Sequence, residues 1–373
     1  MTETRTPSFP QDRPLRALGI MSGTSMDGID VGLITSDGDQ IVMIGPASTY
    51  SYPEETRTEL LTHLDEAERF ETEQFPALEA AVTDAHAAAA MAFMRDHKLG
   101  RADIDVIGMH GQTMLHRPQR RFTCQLGDGQ RAADQTGLPV VYRFRHADVA
   151  AGGQGAPLVP VFHRALAATL PQPLMVLNLG GVANVTYIDG DELIAFDTGP
   201  ASALIDDFMR QRRGVAMDRD GALAAQGVAD RDLLDQLVGH SYFLKIPPKS
   251  LDRNDFHAWS KAVEALSDAD GAATLTRFTI ESVAAALRHV PKRPRRWLVT
   301  GGGRLNTAIM QGLTEAVAAP VDAVEVAGWD GDGMEAHCFA YLAIRTLRGL
   351  PLSFPGTTGV PRPMTGGTLC LPR

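Results

Sequence analysis

The apolar positions at the start of the chain fall in short alternating runs separated by polar, glycine-bearing turns. Ala17-Leu-Gly-Ile-Met21 reads as a strand, and Ile29-Asp-Val-Gly-Leu-Ile34 as a second whose side chains alternate between two faces. Ile41 to Ile44 is a third, and Asp37-Gly38 supplies the hairpin turn before it. The chain therefore opens as an antiparallel meander rather than a strand–helix unit. The period then becomes helical: Leu78 to His97 is Ala-rich and stops at Gly100. Asp105 to His110 and Pro139 to Tyr142 are short apolar strands. A loop of small residues, Ala150 to Pro157, leads into a helix around Val161 to Thr169.

The pattern restarts near Pro171. Leu174 to Leu179, Asn184 to Ile188 and Leu193 to Phe196 read as strands, punctuated by Gly180-Gly181 and Asp189-Gly190. Strand, glycine turn, strand, turn, strand thus occurs twice, a repeat of architecture rather than of identity. Asp197 opens a helix carrying Leu204 and Phe208 one turn apart, and residues 231–290 read as mostly helical. Arg296 to Thr300 is a strand running into Gly301-Gly-Gly303. A last helix spans Gly333 to Arg348, closed by Gly349 and Pro351.

Length and composition change this picture in three ways. A chain of 373 residues, 44% hydrophobic, has enough apolar mass for about two domains of an α/β protein. Its net charge of −10 argues against a general affinity for nucleic acid, and the one basic run, Lys292 to Arg296, reads as a solvated loop. Cys124, Cys338 and Cys370 are odd in number and far apart, which fits a reducing cytoplasm and argues against a disulfide framework or a structural zinc site. Met1 to Arg13 lacks the apolar core of a signal peptide, and no run approaches the roughly 18 apolar residues of a membrane helix.

Five places can carry chemistry. The tip Gly23-Thr-Ser-Met-Asp-Gly28 brings backbone N–H groups and hydroxyls close enough to cradle phosphate oxygens, or is a plain polar turn. Its counterpart, Asn178 to Asn184, lies at the matching place in the second half, so two tips can grip one polyphosphate. Gly301 to Gly303 lets a flat nucleotide base or ribose approach the backbone, or is a tight strand-to-helix turn; no Walker A motif occurs in the chain. Asp197 is a general base or a helix N-cap. His110-Gly-Gln-Thr113 is a hydrogen-bonding wall suited to sugar hydroxyls, or holds a satisfied structural histidine. His116, His146, His163 and His337 show no metal-ligand spacing.

Two similar halves with glycine-rich tips, followed by a late Gly-Gly-Gly turn, resemble the actin/Hsp70/sugar-kinase ATPase superfamily. Within it the chain closely resembles the anhydro-N-acetylmuramic acid kinase family from about Leu18 to Gly359. The matching segments are Gly19 to Asp30, His110 to Thr113, Phe144 to Pro160, Leu177 to Asn184, Phe196 to Pro200, Thr300 to Gly303 and Gly328 to Glu335, in order. The wider superfamily usually places an Asp two residues before the first phosphate Gly and another on the second phosphate strand. Here those positions are Met21 and Asn178, as in the narrower family.

The resemblance implies two ribonuclease-H-like domains, each a mixed five-stranded sheet flanked by helices, with the active site in the cleft between them. Residues 14–165, completed by 350–373, form the first and residues 166–349 the second. It implies ATP binding by Gly23, Thr24, Ser25, Met26, Asp27, Gly28, Ile29 and Asp30, by Gly180, Gly181 and Asn184, and by Gly301, Gly302 and Gly303. Sugar contacts fall to His110, Gly111, Gln112 and Thr113, with Asp128 and Gly155 as further candidates. Asp197 takes the role of catalytic base and Glu335 a supporting one; Asp27, Asp30 and Glu335 are the candidates near Mg²⁺. The implied substrates are 1,6-anhydro-N-acetylmuramic acid and ATP, with Mg²⁺, in a cytoplasmic homodimer that binds neither nucleic acid nor membrane and closes about a hinge. Competing readings are a kinase of the same superfamily acting on a free sugar hydroxyl, an actin-like or chaperone-like ATPase with a protein partner, and a non-catalytic sugar-binding relative.

Overall fold

The opening meander pairs as its alternation requires. β1 (Leu15–Ser22), β2 (Ile29–Ser36) and β3 (Val42–Tyr50) run antiparallel in that order. β4 (Val106–Arg117) joins the other edge of β1 in parallel, and β6 (Val140–Tyr142) joins β4 in parallel. The structure, a computed structural model, describes residues 9–23, 26–64, 66–251, 259 and 261–373. The chain divides into two units, residues 1–168 with 333–373 and residues 169–332.

In the first unit β1 is buried along nearly its whole length, because the helix Pro76–Asp96 and the helix Met334–Leu347 both pack on the sheet. A strand covered on both faces reads as continuously apolar. Leu18, Ile20, Val31, Val82, Phe93 and Ile107 fill one such layer, each contributing about 1.5–3 kcal/mol by burial. On the other face three glycines stand in register: Gly32 on β2, Gly19 on β1 and Gly108 on β4. A methyl group at Gly19 would overlap the Ala336 carbonyl, and one at Gly108 the Phe339 carbonyl. At Gly32 it would sit 2.7 Å from the His337 ring. The row lets the backbone of the Met334–Leu347 helix lie directly on the sheet. This corrects the sequence-based boundary, which gave that helix to the second domain: its close contacts are with β1, β2 and β4.

The first sheet has seven strands, not five. β12 (Thr368–Cys370) pairs with β6, and β5 (Phe122–Leu126) folds back on the outer half of β4. β4 therefore runs well past His110, where sequence reading ended it. Gly111 permits this at φ +81°, with the Leu126 carbonyl too close to leave room for a side chain.

The second unit repeats the plan with five strands. β7 (Leu174–Leu179), β8 (Val182–Asp189) and β9 (Glu192–Pro200) form the antiparallel meander, and β10 (Arg296–Thr300) and β11 (Val321–Ala323) add in parallel on the far side of β7. The order β11-β10-β7-β8-β9 matches β6-β4-β1-β2-β3 of the first unit, so both sheets carry the ribonuclease-H-like order. Its core gathers Leu177, Val185, Tyr187, Phe196, Phe278 and Trp297. The expected helix from Asp197 starts later, at Ser202, because β9 continues to Pro200 opposite Val182. No helix among the described residues is long and apolar enough to cross a membrane.

Candidate functional site

The second unit places its polar residues in one row. Thr300, Asn178, Asn184 and Asp197 are consecutive register partners across β10, β7, β8 and β9. Asp197 is thus a strand residue, not a helix cap. Its backbone N–H donates to the Lys249 carbonyl (3.0 Å), its carbonyl accepts from the Tyr242 hydroxyl (2.6 Å), and its carboxylate Oδ2 accepts from the Leu251 N–H (2.8 Å). The Lys249 ammonium lies 4.8 Å from the centre of the Tyr242 ring and 5.7 Å from that of Phe196. Burial dominates the carboxyl's titration and pushes it up to about 7, against the opposing pull of the Leu251 N–H and the Lys249 charge. A carboxylate poised near neutrality can remove a proton and return it. Lys249, Tyr242 and Leu251 were invisible to sequence reasoning, which read their segment as helix.

Of the three glycines after β10, two are required by packing. A side chain at Gly301 (φ +79°) would strike the Asn178 amide and the Leu179 backbone, and one at Gly303 would meet Leu179 Cβ at 2.6 Å. Gly302 has nothing within 4 Å. Arg304 pins this turn: it is nearly fully buried, donates to the Gly301 carbonyl, and pairs with Glu325 (2.8 Å) and Asp332 (2.9 Å). At the β7–β8 tip the carbonyls of Gly180 and Gly181 accept from the N–H groups of Ser202 and Ala201. Neither glycine is hemmed in, the nearest neighbours to a side chain there lying at 3.5–3.6 Å.

In the first unit Gly23, Met26 and Asp27 to Asp30 form the tip and the start of β2; Thr24 and Ser25 lie outside the described residues. Met26 holds a left-handed backbone (φ 55°) with its side chain buried, and its N–H closes the turn on the Gly23 carbonyl at 3.1 Å. Ile29 is buried in the core, Asp27 is exposed, and the Asp30 carboxylate accepts from the Thr49 hydroxyl at 2.6 Å. A side chain at Gly28 would run into Thr49.

The sugar candidates separate into two groups. His110 and Gly155 come together through Arg145, whose Nε–H donates to His110 Nε2 (3.0 Å) and whose Nη1 donates to the Gly155 carbonyl (2.7 Å). Burial and the neighbouring Arg145 hold His110 well below the usual histidine range, so it is neutral. Asp148, buried, accepts from the Gly155 N–H and the Thr358 hydroxyl, both at 2.6 Å. Glu335, exposed in the otherwise buried first turn of the Met334–Leu347 helix, and Asp148 both favour the Arg145 charge. Arg145 and Asp148 went unmarked by sequence reasoning although they fall inside a recognised segment. Gln112, by contrast, has no exposed surface and both ends of its amide are engaged within the protein. Asp128 caps the helix Gly129–Thr136, accepting from the N–H groups of Gln130 and Arg131, and Thr113 takes a weak 3.4 Å bond from Gln125.

Two ribonuclease-H-like units, each with a glycine-bearing tip, and a carboxylate on the third strand of the second define a sugar-kinase-like phosphotransferase of the actin-like ATPase fold. The family model for anhydro-N-acetylmuramic acid kinase matches residues 15–371. The anhydro-N-acetylmuramic acid kinase of Rhodospirillum rubrum is 53% identical over 359 residues, 96% of this chain and 94% of that one. That of Rhodopseudomonas palustris is 50% identical over 367 residues, 96% of this chain and all of the relative. Component A of the (R)-2-hydroxyglutaryl-CoA dehydratase of Acidaminococcus fermentans aligns over 88% of this chain and 99% of its own, at a TM-score of 0.48 and 13% identity. The chain belongs to the anhydro-N-acetylmuramic acid kinase family, and it is an enzyme that transfers phosphoryl groups to an alcohol acceptor.

Proposed function

We propose that the enzyme opens 1,6-anhydro-N-acetylmuramic acid with water and transfers the γ-phosphoryl group of ATP to the released O6, giving N-acetylmuramic acid 6-phosphate for cell-wall recycling. In this sugar O6 is tied to C1, so there is no 6-hydroxyl to deprotonate. Asp197 takes a proton from water, whose oxygen bonds to C1 as the C1–O6 bond breaks. The freed O6 bonds to the γ-phosphorus, and ADP leaves. The observation that carries this reading is the environment of Asp197. Its carboxyl is tuned to about 7 and fixed on both backbone sides, as a base for water and a stabiliser of positive charge at an anomeric carbon require.

In this reading Gly23 to Asp30 and Gly180, Gly181 and Asn184 take the phosphates, and Gly301 to Gly303 the nucleoside, with open Gly302 at the closest approach. His110, Gly111, Thr113 and Gly155 are the sugar contacts, with Arg145 added by its bonds to two of them. Among the described residues no three His, Cys, Asp or Glu side chains gather into a metal cage. That fits Mg²⁺, which keeps waters and substrate phosphates and needs only one or two carboxylates. Asp30 and Glu335, each within reach of the other's charge, are the ones to hold it, with exposed Asp27 as the alternative to either; when bound, Mg²⁺ neutralises phosphate charge. The family resemblance is the support for a cytoplasmic homodimer. Incubating the enzyme with ATP and either the anhydro sugar or free N-acetylmuramic acid tests the reading: turnover of the anhydro sugar is expected, and turnover of the free sugar alone would overturn it.

A further inference from the structure

One buried histidine has no part in this chemistry. His86, on the Pro76–Asp96 helix, has no exposed surface. Its Nε2 lies 2.9 Å from the Tyr52 hydroxyl and 3.1 Å from that of Ser22. The Tyr52 hydroxyl lies 3.1 Å from Gln112 Oε1, and Gln112 Nε2 lies 3.1 Å from the Gly23 carbonyl.

Proton positions follow link by link. The Gly23 carbonyl can only accept, so Gln112 turns its NH₂ toward it. That leaves the amide oxygen facing Tyr52, which must donate. With its proton so used, the Tyr52 oxygen accepts from His86, which therefore carries its proton on Nε2. The bare Nδ1 then needs no acceptor, in keeping with its lack of a hydrogen-bond partner. Burial keeps the ring neutral by lowering its titration to about 4. At the far end the Gly23 carbonyl also receives the Met26 N–H that closes the turn, and the Met26 carbonyl accepts from Arg57 Nε at 3.0 Å. The turn is held on one side by Gln112 and on the other by Arg57.

We propose that Gln112, oriented through Tyr52 by His86, is a positioning residue that sets the Gly23 end of the phosphate-binding turn. The inference rests on the reading that this turn takes nucleotide phosphates. It replaces the expectation that Gln112 contacts sugar, and it places the control of nucleotide affinity in Gln112, Tyr52 and His86, to none of which this reading gives a substrate contact.

The test is steady-state kinetics with thermal melts on Gln112→Met, Tyr52→Phe, the double variant and Thr24→Val. Gln112→Met is expected to raise the KM for ATP about five- to tenfold, the worth of one hydrogen bond, with kcat and the sugar KM little changed. Its melting temperature falls, since the buried Tyr52 O–H loses the acceptor for its proton. Adding Tyr52→Phe removes that hydroxyl and restores much of the melting temperature, while the KM for ATP stays high because Gly23 still lacks its donor. A KM that returns with the melting temperature would make the network merely structural and overturn the inference. If Thr24→Val weakens ATP but Gln112→Met does not, the inference fails alone. If Thr24→Val leaves ATP affinity unchanged, the phosphate reading of the turn fails and takes the inference with it.

Discussion

Asn184 on β8 and Asp197 on β9 face each other directly across the antiparallel ladder. Asn178 and Thr300 continue the row on β7 and β10. The carboxylate thus stands at the end of a line of amides and a hydroxyl, with no cation in that line to hold its proton off. This is why burial sets its titration.

Asp197→Asn keeps the shape and the ladder but removes the base. Turnover of the anhydro sugar is expected to fall by about 10²–10⁴-fold, the usual worth of general-base catalysis. Nucleotide binding, followed by calorimetry, is expected to stay within about twofold. Near-native turnover in this variant would take Asp197 out of its role.

Because Asp197 titrates near 7, kcat/KM is expected to fall about tenfold per pH unit below that value, as the base becomes protonated. The stability sign is opposite to that of a salt-bridged carboxylate. A folded titration point above the unfolded one means that ionisation costs stability, increasingly as pH rises from about 4 to about 7. The Asn variant should therefore melt higher than the native enzyme at pH 8, and the difference should vanish near pH 4. Lys249 opposes the burial penalty on Asp197 and is itself lowered to about 8, chiefly by burial. Lys249→Met is expected to move the acidic limb of the rate profile upward by roughly half to one pH unit; an unmoved limb would mean that Lys249 does not tune the base.

The glycines after β10 should respond differently to alanine. Gly301→Ala and Gly303→Ala meet Asn178 and Leu179, and should lower stability by about 1–3 kcal/mol, as overpacking does, read as a lower melting temperature. Gly302→Ala meets nothing within 4 Å, so it should melt like the native enzyme yet bind ATP several-fold more weakly. Unchanged ATP affinity in Gly302→Ala would remove the nucleotide from this turn.

In the first unit, Gly19→Ala and Gly108→Ala place a methyl group on the backbone of the Met334–Leu347 helix. Here the obstacle is main chain and cannot rotate away, so each is expected to cost about 3 kcal/mol or more. Denaturant melts showing near-native stability would contradict the direct seating of that helix.

Both meanders could be read from alternation and glycine turns, because each strand buries one pattern against its own unit. Long-range arrangements could not. Nothing local in Met334 to Leu347 says which sheet it covers; Gly19, Gly32 and Gly108 say so, but only once β1, β2 and β4 are in register. Asp197 was found by motif, yet Tyr242, which holds its backbone, and Lys249 and Leu251, which tune its carboxyl, lie 45–54 positions away in a segment without strong periodicity. Gln112 was marked for its chemistry and assigned to the sugar, since Tyr52 and His86 come to it from other elements.

In the proposed reaction water attacks C1 while O6 receives phosphate. Turnover of the anhydro sugar with ATP in ¹⁸O-water, followed by mass spectrometry of the fragmented product, tests it directly. The label is expected on the C1 hydroxyl, with none in the phosphoryl group. Label in the phosphoryl group, or none at C1, would contradict the mechanism.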